Sequence, residues 1–160
     1  MRQSTARNNS AFFLKALFES SGEIEKILFV GDQYHYYDST SDSSILAVSV
    51  HLGDVEIGIA EQIRTIKKRT GQILQHVDLD ASPLESDCAA TNIDNALWRF
   101  QSAREKTFYL MYELSKKEWA YQGQHPYRGK MSILDLARDL YHHDLEHLWQ
   151  IRKLATGKLW

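Results

Sequence analysis

The stretch YHHDLEHLWQIRKL, from Tyr141 to Leu154, decides how the chain is read. Leu140, His143, His147, Ile151 and Leu154 recur at intervals of three and four, the spacing that lines one face of an α-helix. Leu136 continues that line upstream. Three of the chain's seven histidines fall in this stretch, and two of them sit on the apolar face. His143 and His147 are one helical turn apart and therefore stacked. His142 is turned about 100° away and points elsewhere.

Working outward, the same periodicity recurs three more times. A first helix is expected from about Ser10 to Leu28, with Phe13, Leu17, Ile24 and Ile27 inward. A second runs from about Ser43 to Lys68, with the stripe Val48, Leu52, Val55, Ile59, Ile63 and Ile66; His51 borders that stripe. A third runs from about Ile93 to Trp119, with Ala96, Phe100, Ala103, Thr107, Leu110 and Leu114 inward. The fourth begins near Ser132, where Ser132 and Asp135 have the spacing of a capping box with Asp replacing Glu. Two prolines, Pro83 and Pro126, mark connections. The connection from Thr70 to Asn92 is too long for a tight turn, so it reads as a crossover. WAYQGQHPYRGK reads as a polar loop. The expected fold is all-α, a four-helix bundle with a long crossover between helices 2 and 3, forming one domain over residues 1–160.

Composition agrees with a globular domain: 160 residues, 43% hydrophobic and 25% charged. The net charge of −2 and the lack of a basic stripe give no reason to expect a nucleic-acid partner. The apolar tract from Ile45 to Ala60 is broken by His51, Asp54 and Glu56, so no membrane span is expected. Cys88 is the one cysteine, which excludes an internal disulfide and fits a reducing compartment; cytoplasmic location is expected.

Buried imidazoles need hydrogen-bond partners or a metal, because desolvating a polar group without compensation is unfavourable. A stacked pair suits metal ligation, with His51 as the best third ligand from another helix. Three neutral imidazoles leave a divalent ion with open positions, the ligand count of a catalytic rather than a structural site. Zinc, nickel and iron all accept imidazole. The plain alternative is a pair of satisfied core histidines. A ferritin-type di-metal bundle needs two E-x-x-H motifs, which the chain lacks.

Two segments, HLGDVE (His51 to Glu56) and HDLEHLWQI (His143 to Ile151), resemble the signature segments of the DinB-like (YfiT-like) superfamily. ALWRFQSAREKTFYLMYEL, with its Phe-x-x-x-Arg motif at Phe100 and Arg104, resembles that family's third helix. GQHPYRGKMSILDL resembles the connection into its last helix. The resemblance covers the chain from about Ile45 to the end. It implies a four-helix bundle, often dimeric, with a divalent metal held by His51, His143 and His147. It also implies a small-molecule substrate and, in some members, transferase or isomerase chemistry with a low-molecular-weight thiol. Hydrolysis and non-catalytic metal or small-molecule binding are the alternatives. Near the start the chain departs from the family: GDQYHYYDSTSDSS, residues 31–44, replaces the usual Trp/Pro-bearing stretch, so substrate class does not carry over.

Several neighbours are candidates to support the site. Asp144 and Asp54 are expected to orient imidazoles, since ligating histidines usually donate their other N–H to a carboxylate or carbonyl. Gln150, one turn beyond His147, is expected to hydrogen-bond in the core or line the pocket. Glu146 is either a further imidazole-orienting carboxylate or a solvated charge, His142 reads as exposed or interfacial and His125 as a loop residue. His76 with Asp78 and Asp80 is a weaker second metal cluster. Tyr34, His35, Tyr36 and Tyr37 are candidates for a pocket wall. Cys88 has no basic neighbour to make it a reactive thiolate.

Overall fold

The computed structural model describes the backbone of residues 2–28 and 39–156, and the side chains of residues 9–28 and 45–155. The aromatic run at Tyr34 to Tyr37 lies outside the described residues. Four long helices form: α1 (Arg2–Leu28), α2 (Ser39–Lys68), α4 (Ile93–Tyr112) and α6 (Ile133–Thr156). Two short helices, α3 (Glu85–Ala89) and α5 (Lys116–Trp119), and two strands, β1 (Gln122–His125) and β2 (Gly129–Ser132), connect them. The expected four-helix bundle is therefore present, with extra elements in its connections.

The core has two apolar clusters. One gathers Leu17, Val55, Ile59, Ile63, Met111, Leu136 and Leu140 among others. The second gathers Ile24, Leu28, Ile45, Val48, Leu52, Leu97, Phe100, Leu148 and Ile151. Their order along the chain sets helix direction. α1 and α6 pass from the first cluster to the second, whereas α2 and α4 pass from the second to the first. Parallel α2 and α4 pack side by side, so the chain must travel back along the bundle between them. Residues 69–92 do this, which is the physical reason for the long crossover.

Three expectations are corrected. The third helix does not run to Trp119. It ends at Tyr112, and a capping box restarts the chain as α5: the Ser115 hydroxyl accepts from the Glu118 N–H at 3.2 Å and the Glu118 carboxylate accepts from the Ser115 N–H at 3.0 Å. The expected polar loop is an antiparallel hairpin, pairing Gln122 with Ser132 through to His125 with Gly129. Gly129 turns at φ 77°, a conformation that favours glycine. His125, read as a loop residue, closes β1 and is 4% exposed. Its Nδ1 accepts the Tyr127 and Arg128 N–H groups, both at 3.1 Å.

The reciprocal cap at the start of the last helix is formed as expected. The Ser132 N–H donates to Asp135 at 2.9 Å and the Asp135 N–H to the Ser132 hydroxyl at 3.0 Å. Among the described residues no helix is long and apolar enough to cross a membrane.

Candidate metal centre

A polar layer separates the two apolar clusters. Each long helix contributes to it: Ser20 and Ser21 from α1, His51 and Glu56 from α2, Arg104 and Thr107 from α4, and His143 and Asp144 from α6, all buried. The layer has two parts, a cluster of imidazoles and an ion network.

The imidazoles of His51, His143 and His147 converge. His143 Nε2 lies 2.9 Å from His51 Nε2 and 2.9 Å from His147 Nε2. Two nitrogens bound to one tetrahedral zinc are roughly 3.3 Å apart, given zinc–nitrogen bonds of about 2.0–2.1 Å. The observed spacing needs only a few tenths of an ångström of adjustment. His51 Nε2 can donate to the Leu79 carbonyl and His143 Nε2 to His147 Nε2, and the same three nitrogens, once deprotonated, offer their lone pairs to one cation. Among the described residues, this is the one group of three or more His, Cys, Asp or Glu whose ligand atoms come together. The residues present thus fit a divalent cation.

Gln150 orients one ring. Its Oε1 lies 2.9 Å from His147 Nδ1. A carbonyl oxygen only accepts, so Nδ1 carries the proton and Nε2 turns its lone pair toward the cluster. The two expected carboxylates do otherwise. Asp54 pairs with Arg99 at 2.8 Å on the exposed side of α2. Asp144 is captured by Arg104. His143 Nδ1 is consequently buried without a hydrogen-bond partner.

Arg104 is the residue whose importance the periodicity did not reveal. Its Nε and Nη2 donate to the two Glu56 oxygens, both at 2.8 Å. Nη1 and Nη2 donate to Asp144 at 2.7 and 2.8 Å, and Nη1 also reaches the Leu17 carbonyl at 2.8 Å. All five donors are used, with Ser20 donating a further bond to Asp144. Burial opposes the guanidinium charge, but the Asp144 and Glu56 carboxylates outweigh it and hold the group protonated. All four long helices meet at this side chain, at the height of the histidines.

Burial first, and then the neighbouring His147 and His51 rings, push His143 down to about 3. Burial, followed by His147, also lowers His51. Both shifts favour the neutral, ligating form. They also predict acid sensitivity of the metal-free protein. An unfolded imidazole titrates near 6.5. Between that value and about 3, the unfolded chain binds a proton that folded His143 refuses. Stability therefore falls as pH drops through this window, by about 1.4 kcal/mol per pH unit from this group. Urea titrations of metal-free protein from pH 7 to pH 5 should show the decline, and His143→Gln should flatten it. Equal slopes in both proteins would contradict the assignment.

A cleft of about 330 Å³ opens beside the cluster, lined by His51, His147, Gln150, Glu146, Asp80 and Ser82 among others. Glu146 is exposed and lines this cleft. The weaker second cluster does not form. The Asp78 carboxylate accepts the Asp80 N–H at 2.9 Å, while the His76 ring packs edge-on against His125 and Tyr127. Cys88 is pushed up by burial and then by the acidic side chains of Asp87, Asp54 and Glu85, the opposite of a reactive thiolate.

The fold matches that of YfiT from Bacillus subtilis, described as a probable metal-dependent hydrolase with an unusual four-helix bundle topology. The TM-score is 0.73 at 13% identity, covering 92% of this chain and 86% of that one. No curated protein matches the sequence. The family model for the DinB superfamily matches residues 30–151, from before α2 into the last turns of the histidine-bearing helix α6. That span is more than half of the 160 residues, and the chain belongs to the DinB superfamily.

Proposed function

We propose that the protein is a metal-dependent enzyme in which His51, His143 and His147 hold one divalent ion. The convergence of three Nε2 atoms in a buried polar layer beside an open cleft carries this reading. Zinc, nickel and iron suit the donor set. When bound, such an ion lowers the pKa of a thiol or water that it binds and so supplies a nucleophile at neutral pH.

The chain's own groups do the rest. Gln150 fixes the ring of His147. Arg104 ties α2 to α6, so His51 and His143 keep their separation. Glu146 faces the cleft and is placed to accept a proton released by the nucleophile. No Lys or Arg lines the cleft among the described residues, so the ion supplies its positive charge and an anionic or thiolate group is drawn there.

We infer a thiol as the nucleophile, in a transfer or isomerisation of a small molecule, with the protein acting as a homodimer in the cytoplasm. Metal-loaded protein mixed with a panel of small thiols and an electrophilic probe should accelerate thiol consumption, and His147→Ala should abolish the acceleration. The second reading is hydrolysis, supported by the description of YfiT as a probable metal-dependent hydrolase. Cleavage of an activated ester without any thiol effect would select it. Silence in both assays would leave a non-catalytic metal-binding bundle.

A further inference from the structure

The crossover places a backbone oxygen against the histidine cluster, at His51. The Leu79 carbonyl lies 2.9 Å from His51 Nε2, the same separation as between the ring nitrogens themselves. We propose that the Leu79 carbonyl is a fourth, displaceable donor of the site, and that a small anionic ligand enters by displacing it. The proposal rests on the metal reading above and adds to it what fills the resting coordination position.

The oxygen is delivered by a braced segment. Upstream, the Leu74 N–H donates to the Gln124 carbonyl at 2.9 Å and the Gln62 side chain to the Gln75 carbonyl at 2.7 Å. Val77 lies so close to α2 that a Cβ on Gly58 would come within 2.7 Å of its Cγ2. The Leu79 side chain packs against the first apolar cluster. Around Leu79 itself, the Asp78 carboxylate accepts the Asp80 N–H at 2.9 Å and closes a turn.

The chemistry of the oxygen agrees. A carbonyl has lone pairs only, so it meets His51 Nε2 favourably when that nitrogen carries a proton. With Nε2 deprotonated, the oxygen would lose that hydrogen bond and be free to serve as a donor to the ion, and oxygen donors suit divalent sites. Three histidines alone would leave the position to solvent; with Leu79 the protein fills it. The segment also has room to move. Leu79 and Asp80 line both the 330 Å³ cleft and a second cleft of about 210 Å³ behind it. The turn thus borders both spaces.

Cobalt(II) with azide as the probe ligand tests this. Cobalt uptake is first measured by elemental analysis, and azide affinity is then read from the cobalt absorption bands. Asp78→Ala removes the turn bond, whereas Asp78→Asn removes the charge and keeps an acceptor. Gly58→Ala pushes on Val77 from the other side. Azide should bind Asp78→Ala about five- to tenfold tighter than the parent, the equilibrium factor of one lost hydrogen bond; Gly58→Ala, which crowds Val77, should shift affinity in the same direction, and Asp78→Asn should match the parent. Cobalt uptake with azide affinity unchanged in both loosened variants would overturn this proposal and leave the metal reading intact. Failure of the parent to take up cobalt would overturn both.

Discussion

Replacing Arg104 by methionine should destabilise the protein by about 3–5 kcal/mol, the loss expected when a buried charge pair is broken from one side. Stability of a domain this size is of order 5–15 kcal/mol, so the loss takes a large share of it. The reason is local. Glu56 and Asp144 are each 0% exposed, and their carboxylates have the same guanidinium as partner. Methionine fills much of the space but leaves two carboxylates facing each other without a countercharge. Lysine keeps the charge yet cannot grip both carboxylates bidentately, so Arg104→Lys should fall between methionine and the parent. Removing the carboxylates as well, in Arg104→Met with Glu56→Gln and Asp144→Asn, should recover part of the loss. Urea denaturation of purified variants checks each step. An Arg104→Met midpoint close to the parent's would show that the network contributes little.

Much of this architecture was legible in the sequence because helical periodicity is a strong signal over long segments. The line from Leu136 through His143 to Ile151 placed two histidines inward, and both lie at the cluster. The cap at Ser132 and Asp135 was readable for the same reason: it depends on local spacing. The hairpin was not, because each strand has four residues and too little alternation to stand out from a Gly- and Pro-bearing loop. The end of α4 at Tyr112 was hidden because Leu114 and Trp119 continue the apolar pattern and are both buried, although Leu114 lies in the connection and Trp119 in α5.

The ion network was missed for a related reason: charged residues are normally read as surface. Yet Arg104 lies four residues after Phe100 and three before Thr107. Glu56 lies four after Leu52, and Asp144 four after Leu140. Each occupies a core-facing position by spacing alone, and three such charges of opposite sign on three helices are natural partners. Attention to that pattern would have moved Asp144 from an imidazole to Arg104. The assignment of Asp54 failed differently. Its place one turn after His51 is right, but the carboxylate leaves toward solvent, where Arg99 of α4 meets it. The Leu79 carbonyl could not be read at all, since a backbone oxygen carries no sequence signal.

Removing any one of His51, His143 or His147 should lower divalent-metal affinity by at least about 100-fold, more than the 10- to 100-fold that changes to ligand-supporting residues produce. Two imidazoles cannot hold the ion against competing buffer, and each of the three nitrogens lies within 4.8 Å of the others, so no single ring is spare. His142→Ala provides the control, because that ring is adjacent in sequence but exposed. The decisive measurement is elemental analysis of tag-free parent, the three alanine variants and the control, after dialysis against a metal buffer. The account predicts near-stoichiometric metal in the parent and in His142→Ala, with loss from each of the other three. Metal at the parental level in all three variants, or none in the parent, would contradict it.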